Sequence, residues 1–353
     1  MEQIERICIS VNVKCNLGCT YCYFFNPEHH MLEDKSLSEE EIYKILVKIH
    51  EYSLLNNITK KIKVLFVGSG EPLISWKHIK GALEKYNYYI QSDKIKFYMV
   101  TNGVLVTKQI AEELRFLNVF PSVSLDGFQE INDRNRPFLG GKGSFEKAVR
   151  GYKLLQEAGF DVAINTVMTW EVIENLDQYW EFVKEYKVNK VIFDRLVDVP
   201  SHVKEVPVEM FYSALYRAFK MKNDLGLNNV EIGNIESFKR AFEGNPDKSC
   251  TLFGSTCGAG TNFIIYLLRD AYPCGRMFDN EIWKLGDIDT PIEEIQSNMF
   301  QKIEERPTKC SSCGVKSSCI KDCLIEEQDP KYECSSRVDF IIKLRKDLGY
   351  AIA

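Results

Sequence analysis

The chain has 353 residues, 45% of them hydrophobic and 27% charged, with a formal net charge of -5 and an isoelectric point near 5.7. That is enough apolar material for one large domain and a smaller companion, and the acidic balance leaves no electrostatic footprint for nucleic acid. Met1 to Arg6 is too polar for a secretory signal, and the longest apolar run, Phe263 to Leu268, is too short to span a bilayer, so the chain reads as cytoplasmic with no membrane partner.

The first element is a β-rich run, Ile7 to Val13, and it delivers the loop Cys15-Asn-Leu-Gly-Cys19-Thr-Tyr-Cys22. Three thiolates at that spacing hold an iron-sulfur cube with one iron left open to a further ligand, whereas a closed zinc site wants a fourth donor nearby. Gly18 lets the loop turn tightly. Beyond it, β-rich runs at Ile62 to Val67, Ile95 to Val100, Phe120 to Leu125, Asp161 to Val167 and Lys190 to Phe193 alternate with amphipathic helical periods. These periods cover Ser38 to Tyr52, His78 to Ile90, Lys108 to Leu117, Phe145 to Ala158 and Asn175 to Glu185. Six βα units imply an α/β fold, a parallel sheet curled into a partial barrel, with chemistry at the carboxyl ends of the strands. The polar turns fall at that end: Ser69-Gly70-Glu71-Pro72, Thr101-Asn102-Gly103, Ser124-Leu125-Asp126-Gly127, and Asn165 within the fifth strand. For Asn102 and Asp126 a purely turn-shaping role is the alternative to ligand contact. Gly140 to Gly143 lacks a nucleotide-binding pattern and reads as a flexible loop.

The three-cysteine loop, with Tyr21 before its last cysteine, resembles that of the radical S-adenosylmethionine (SAM) superfamily. The resemblance implies a 4Fe-4S cluster on Cys15, Cys19 and Cys22, with Tyr21 near the adenine of SAM and the Ser69, Gly70, Glu71, Pro72 turn on its methionine amino group. In the family that turn is Gly-Gly-Glu-Pro, so Ser69 is a departure that reduces backbone freedom. By the same resemblance Ser124, Asn165 and Arg136 stand where the ribose or methionine carboxylate of SAM is contacted, the arginine suiting a two-point carboxylate contact, and Asn102 is a further candidate cofactor contact.

A linker with Pro200 and Pro207 leads into a helix from Val208 to Asp224, after which the composition shifts. Eight of the 12 cysteines lie between Cys250 and Cys334, including Cys310-x2-Cys313-x5-Cys319-x3-Cys323. Eight thiolates make two sets of four, suited to two closed metal sites, iron-sulfur or zinc. The pattern resembles the SPASM extension of peptide-modifying radical SAM enzymes, which implies two auxiliary 4Fe-4S clusters and therefore three clusters in all. One auxiliary cluster would take Cys250, Cys257, Cys274 and Cys323, and the other Cys310, Cys313, Cys319 and Cys334. Arg269 stands where the extension usually has a glycine, and Cys8 reads as a core residue. The implied organisation is a barrel over 1–200, linker helices over 201–245, the cysteine-rich SPASM domain over 246–336 and a C-terminal helix over 337–353.

The resemblance implies reductive cleavage of SAM and hydrogen abstraction from a ribosomal peptide, oxidised to a thioether or carbon-carbon crosslink. A flavodoxin- or ferredoxin-type donor would supply electrons. Only 14 residues precede Cys15 and 19 follow Cys334, so no leader-binding domain fits and a separate leader-binding protein is an expected partner. The rivals are formylglycine formation, as in anaerobic sulfatase maturases, and oxidation of a small molecule. Sulfatase maturases place an aspartate directly after the counterpart of Cys274, where this chain has Gly275-Arg276; Asp279 is the nearest acidic substitute. His29 and His30 follow the first cysteine loop and read as an exposed pair or a substrate contact.

Overall fold

The computed structural model describes residues 3–25, 35–246, 248–250, 254–278, 280–302, 313, 315, 323 and 334–351. Strands β1 (Arg6–Ser10), β2 (Ile62–Val67), β3 (Ile95–Thr101), β4 (Val119–Ser124), β5 (Ala163–Met168) and β6 (Lys190–Arg195) are paired in sequence order, all parallel. Their crossovers carry α1 (Glu39–Leu55), α2 (Trp76–Tyr89), α3 (Lys108–Phe116), α4 (Gln129–Asn135), α5 (Phe145–Glu157), α6 (Trp170–Glu174) and α7 (Leu176–Glu185). After them come α8 (Val208–Asp224), β7 (Glu231–Ile232), α9 (Gly233–Phe242), β8 (Lys248–Ser249), β9 (Thr256–Cys257), β10 (Phe263–Leu267), β11 (Asp270–Tyr272), β12 (Gly286–Asp287), α10 (Ile292–Lys302) and α11 (Ser335–Asp347).

The six βα units of the sequence pattern are present, with boundaries shifted by a few residues. The first strand stops at Ser10 rather than Val13, because Val11 to Val13 leave the sheet for another partner. Leu37 N donates to Val11 O at 2.8 Å, Val13 N donates to Lys35 O at 3.3 Å, and Asn12 bridges Ser36. The first helix begins with a reciprocal cap in which Ser38 and Glu41 bond each other's backbone amides.

The alternation along each strand sorts its two faces. In β2, Ile62, Val64 and Phe66 are fully buried under the helices, while Lys63, Leu65 and Val67 face a central cavity. The inward residues of β1 to β6 line this one cavity, so the sheet is curled, as expected for a partial barrel. Phe263 to Leu267, legible in the sequence only as an apolar run, forms β10 and pairs parallel with β1 from Arg6↔Phe263 to Ser10↔Leu267. Antiparallel β11 and β12 follow it, giving a ten-stranded sheet ordered β12-β11-β10-β1-β2-β3-β4-β5-β6-β7. Part of segment 246–336 therefore continues the barrel sheet. Among the described residues no helix is long and apolar enough to cross a membrane.

Helix α5 is set by a glycine contact. A Cβ on Gly151 would lie 1.9 Å from Gly103 O, so only glycine lets this helix touch the turn that carries Asn102. Gly151→Ala should therefore cost on the order of 1–3 kcal/mol by forced displacement of that turn. Denaturant unfolding would measure it, and an unchanged midpoint would refute the contact.

Candidate active site

The cysteine loop is held from two sides. On one, Gly18 N donates to Pro137 O at 2.8 Å and Thr20 N to Asn135 O at 2.9 Å, while Leu17 bridges Phe138 and is buried. On the other, the approach to Cys15 is bonded to the turn after β2. Glu71 N donates to Lys14 O at 2.7 Å, and Asn12 Nδ2 donates to Glu71 O at 3.1 Å and Ser75 Oγ at 2.9 Å. A Cβ on Gly70 would lie 2.2 Å from Lys14 O and 2.3 Å from Asn12 Oδ1, so the sequence needs glycine there for a backbone-to-backbone approach.

Ser69, the departure from Gly-Gly-Glu-Pro, has a local reason. Its hydroxyl lies 2.6 Å from Ser10 Oγ and its N–H donates to the same atom at 3.0 Å, tying the end of β2 to the end of β1. Its φ is not positive, so the side chain adds a bond without backbone strain. Glu71 is buried, and both its oxygens are occupied. Thr101 Oγ1 donates to Oε1 at 2.6 Å, Asn102 N to Oε2 at 2.8 Å and Leu73 N to Oε1 at 3.1 Å. Burial raises its pKa while these donors oppose the rise. Glu71 thus joins the turns after β2 and β3, and Pro72 opens the short helical turn that follows it.

Those turns bring Asn102 to the cysteines. Its amide nitrogen donates to Asn16 Oδ1 at 2.9 Å and lies 4.0 Å from Cys15 Sγ. Opposite, Tyr21 donates its phenol to Asp126 Oδ2 at 2.6 Å, and Val167 N donates to Asp126 Oδ1 at 3.1 Å. Arg136 lies across the Tyr21 ring, 5.5 Å from its centre, with Nε 3.2 Å from Asp126 Oδ1 but not aligned to donate. Among the described residues that buried Nε has no aligned hydrogen-bond acceptor. Asn165 and Ser124 are register partners on β5 and β4, and Asn165 Nδ2 donates to Ser122 Oγ at 2.9 Å. The three cysteines share one electrostatic neighbourhood. Burial pushes the Cys15 thiol up to about 11, the Cys19 thiol up to about 12 and the Cys22 thiol upward, with Arg136 pulling Cys19 and Cys22 back down.

The cavity inside the barrel measures about 920 Å³. Asn165, Asp194, Cys250, Cys257, Cys274 and Cys323 all line it; burial raises the Cys274 thiol, and Cys257 and Cys323 lie close enough to raise it further electrostatically. Cys313 and Cys334 are half-buried and do not line it, and Cys310, Cys319, His29, His30 and Asp279 lie outside the described residues. Tyr23, directly after Cys22, reaches toward the late cysteines. A Cβ on Gly275 would lie 2.7 Å from the Tyr23 hydroxyl, so the glycine leaves room for that phenol beside Cys274. Cys8 is buried among Ile265, Leu267, Tyr272 and Phe278, as a core residue.

Residue Asp194 escaped the sequence reading. The period of β6 puts it on the inward face with Lys190 and Ile192, and that period was the available signal. The cavity's other described carboxylates, Glu5, Asp161 and Glu231, precede or begin their strands, which leaves Asp194 as the one at the carboxyl ends. Burial pushes its carboxyl up to about 7, with Arg136 opposing and Asp126 adding to the rise.

The family model of the radical SAM superfamily matches residues 9–185. The chain belongs to this superfamily. A serine-type anaerobic sulfatase-maturating enzyme of Bacteroides thetaiotaomicron is 29% identical over 352 residues, covering 89% of this chain and 80% of the relative. Mycofactocin maturase MftC of Mycolicibacterium smegmatis is 26% identical over 351 residues, covering 92% and 81%. The structure of native anSMEcpe with bound AdoMet and Cp18Cys peptide superposes with a TM-score of 0.78 at 20% identity, covering 98% of each chain, and shows the same fold.

Membership in the radical SAM superfamily implies a 4Fe-4S cluster and SAM. The donor set fits them: three neighbouring thiols, a cation and an amide beside them, and a buried guanidinium nitrogen lacking an aligned acceptor among the described residues.

Asp194 also sets a pH dependence. Its folded pKa is raised above the ordinary 3.8, so its contribution favours the fold below about pH 4 and is lost as pH rises through about 7. Asp194→Asn should therefore gain stability relative to the parent between pH 5 and pH 8, on the order of 1–4 kcal/mol. Thermal unfolding at both pH values would show an equal difference if the carboxyl were not buried in this way.

Proposed function

We propose that this radical SAM chain oxidises a ribosomally made peptide, forming a thioether or carbon-carbon crosslink, with Cys15, Cys19 and Cys22 on the SAM-binding cluster and two auxiliary 4Fe-4S clusters behind it. The observation that carries this reading is the shared cavity, which brings Cys250, Cys257, Cys274 and Cys323 to the space entered by Asn165 and Asp194. An oxidation whose electron must leave the substrate needs an acceptor within reach of the reacting carbon. The remaining set, Cys310, Cys313, Cys319 and Cys334, is assigned to the second auxiliary cluster by the family pattern. A peptide substrate is supported by the relatives, a mycofactocin maturase and sulfatase-maturating enzymes.

When bound, the cluster and SAM supply hydrogen-atom abstraction from an unactivated carbon. The chain supplies position and dryness. The Ser69–Pro72 backbone, Asn102, Ser124, Asn165 and Arg136 hold SAM, Tyr21 packs beside it, and Asp126 fixes both Tyr21 and Arg136. The Asp194 carboxyl, held near neutrality by burial, takes up the proton that a substrate loses when it is oxidised. Reducing equivalents come from a flavodoxin- or ferredoxin-type protein, and a separate leader-binding protein is a partner of this reading.

Formylglycine formation is the second reading, favoured by 29% identity to a sulfatase-maturating enzyme along most of the chain. Against it stands Gly275 after Cys274, where the Tyr23 phenol fills the space of a side chain. Anaerobic co-expression with a short peptide encoded beside the gene, read by mass spectrometry with thiol alkylation, separates the readings. A loss of two hydrogens with a blocked cysteine marks a thioether, and the same loss with free cysteines marks a carbon-carbon link. An unmodified peptide together with formylglycine in a co-expressed sulfatase would replace the first reading by the second. Cys22→Ala should abolish SAM cleavage to 5′-deoxyadenosine, since two thiols remain, whereas Cys313→Ala should retain part of it and lose peptide modification. Retained cleavage in Cys22→Ala would overturn the ligand assignment.

A further inference from the structure

Arg276 stands two residues beyond Cys274, in the short helical turn Gly275–Met277, with its side chain 12% exposed. Its guanidinium makes a two-point ion pair with Asp198 on the loop leaving β6: Nη2 donates to Oδ1 at 2.9 Å and Nε donates to Oδ2. The third nitrogen, Nη1, donates to Cys323 Sγ at 3.4 Å. Asp198 itself has φ +52, a left-handed conformation uncommon outside glycine. One side chain thus joins the barrel's sixth loop, the turn after one proposed cluster ligand and the sulfur of another.

Such a contact has a direct electrostatic meaning. A guanidinium keeps its charge at any working pH, and the mostly buried setting weakens solvent screening. A reduced cluster carries one more negative charge than an oxidised one, so a fixed cation donating to a ligand sulfur stabilises the reduced form more. We propose that Arg276, oriented by Asp198, is a positioning residue that raises the reduction potential of the auxiliary cluster on Cys250, Cys257, Cys274 and Cys323. This rests on the reading of those four cysteines as one cluster. The position directly after Cys274 carries no side chain, and the next one places a cation at the sulfurs.

The test uses the full-length, anaerobically reconstituted enzyme, with metal analysis first and then a dye-mediated redox titration followed by electron paramagnetic resonance. Cys323→Ala identifies which signal belongs to this cluster. In Arg276→Gln that signal's midpoint should shift to more negative potential at unchanged iron content, with the SAM-binding cluster unmoved, and Arg276→Lys should recover part of the shift. An unchanged midpoint in Arg276→Gln overturns the proposal. Loss of the cluster in both Arg276 variants also overturns it, because the residue then holds the fold rather than the potential. Zinc in the wild-type site, seen by metal analysis before any titration, removes the cluster reading and this proposal with it.

Discussion

The site depends on one constraint: loops that end parallel strands are buried here, and their backbone polar groups must satisfy one another. Asn12, Gly70 and Glu71 meet this demand together. Asn12 bonds the carbonyl of Glu71, Glu71 bonds the carbonyl of Lys14, and Gly70 allows the two chains to approach closely. The Glu71 side chain then extends the network to Thr101 and Asn102. Three strand ends are locked into one surface, and the cysteine loop leaves from it. A buried carboxylate with three donors is costly to unpair, which makes this junction stiff.

Charge is handled in the same way. Asp126 is fully buried and holds Tyr21, the Val167 amide and the neighbourhood of Arg136. The cation in turn moderates the burial cost at Cys19 and Cys22. Asp194 receives less help and sits near neutrality on the cavity wall. A hydrogen-bonded acid behind the cysteine loop and a buried acid on the cavity wall thus differ through the partners each finds.

The cysteine-rich segment reaches this cavity through the sheet. Strand β10 pairs with β1, so the turn bearing Cys274 follows a hairpin anchored on the barrel itself. The Asp198–Arg276 pair and the Tyr23 phenol bind the same region to the barrel's loops. Cys274 and Cys323 are thus tied to the barrel's strands and loops.

Much of this was legible in the chain. Period-two runs and amphipathic periods gave six βα units, because each strand buries one face under a helix and each helix one stripe on the sheet. The spacing of Cys15, Cys19 and Cys22 set the chemistry of the first loop, since ligands on one short loop need no tertiary information to be neighbours. The role of Ser69 was not legible: its hydroxyl reaches Ser10, 59 residues away. Nor was the place of Phe263 to Leu267, whose apolar composition suits any buried strand, while its partner β1 lies at the far end of the sequence. Local pattern determined the elements, the open three-thiol loop and the cysteine inventory. The tertiary structure alone decided which late cysteines share a cavity and which cation lies on a sulfur, because those are contacts between residues that no sequence period relates.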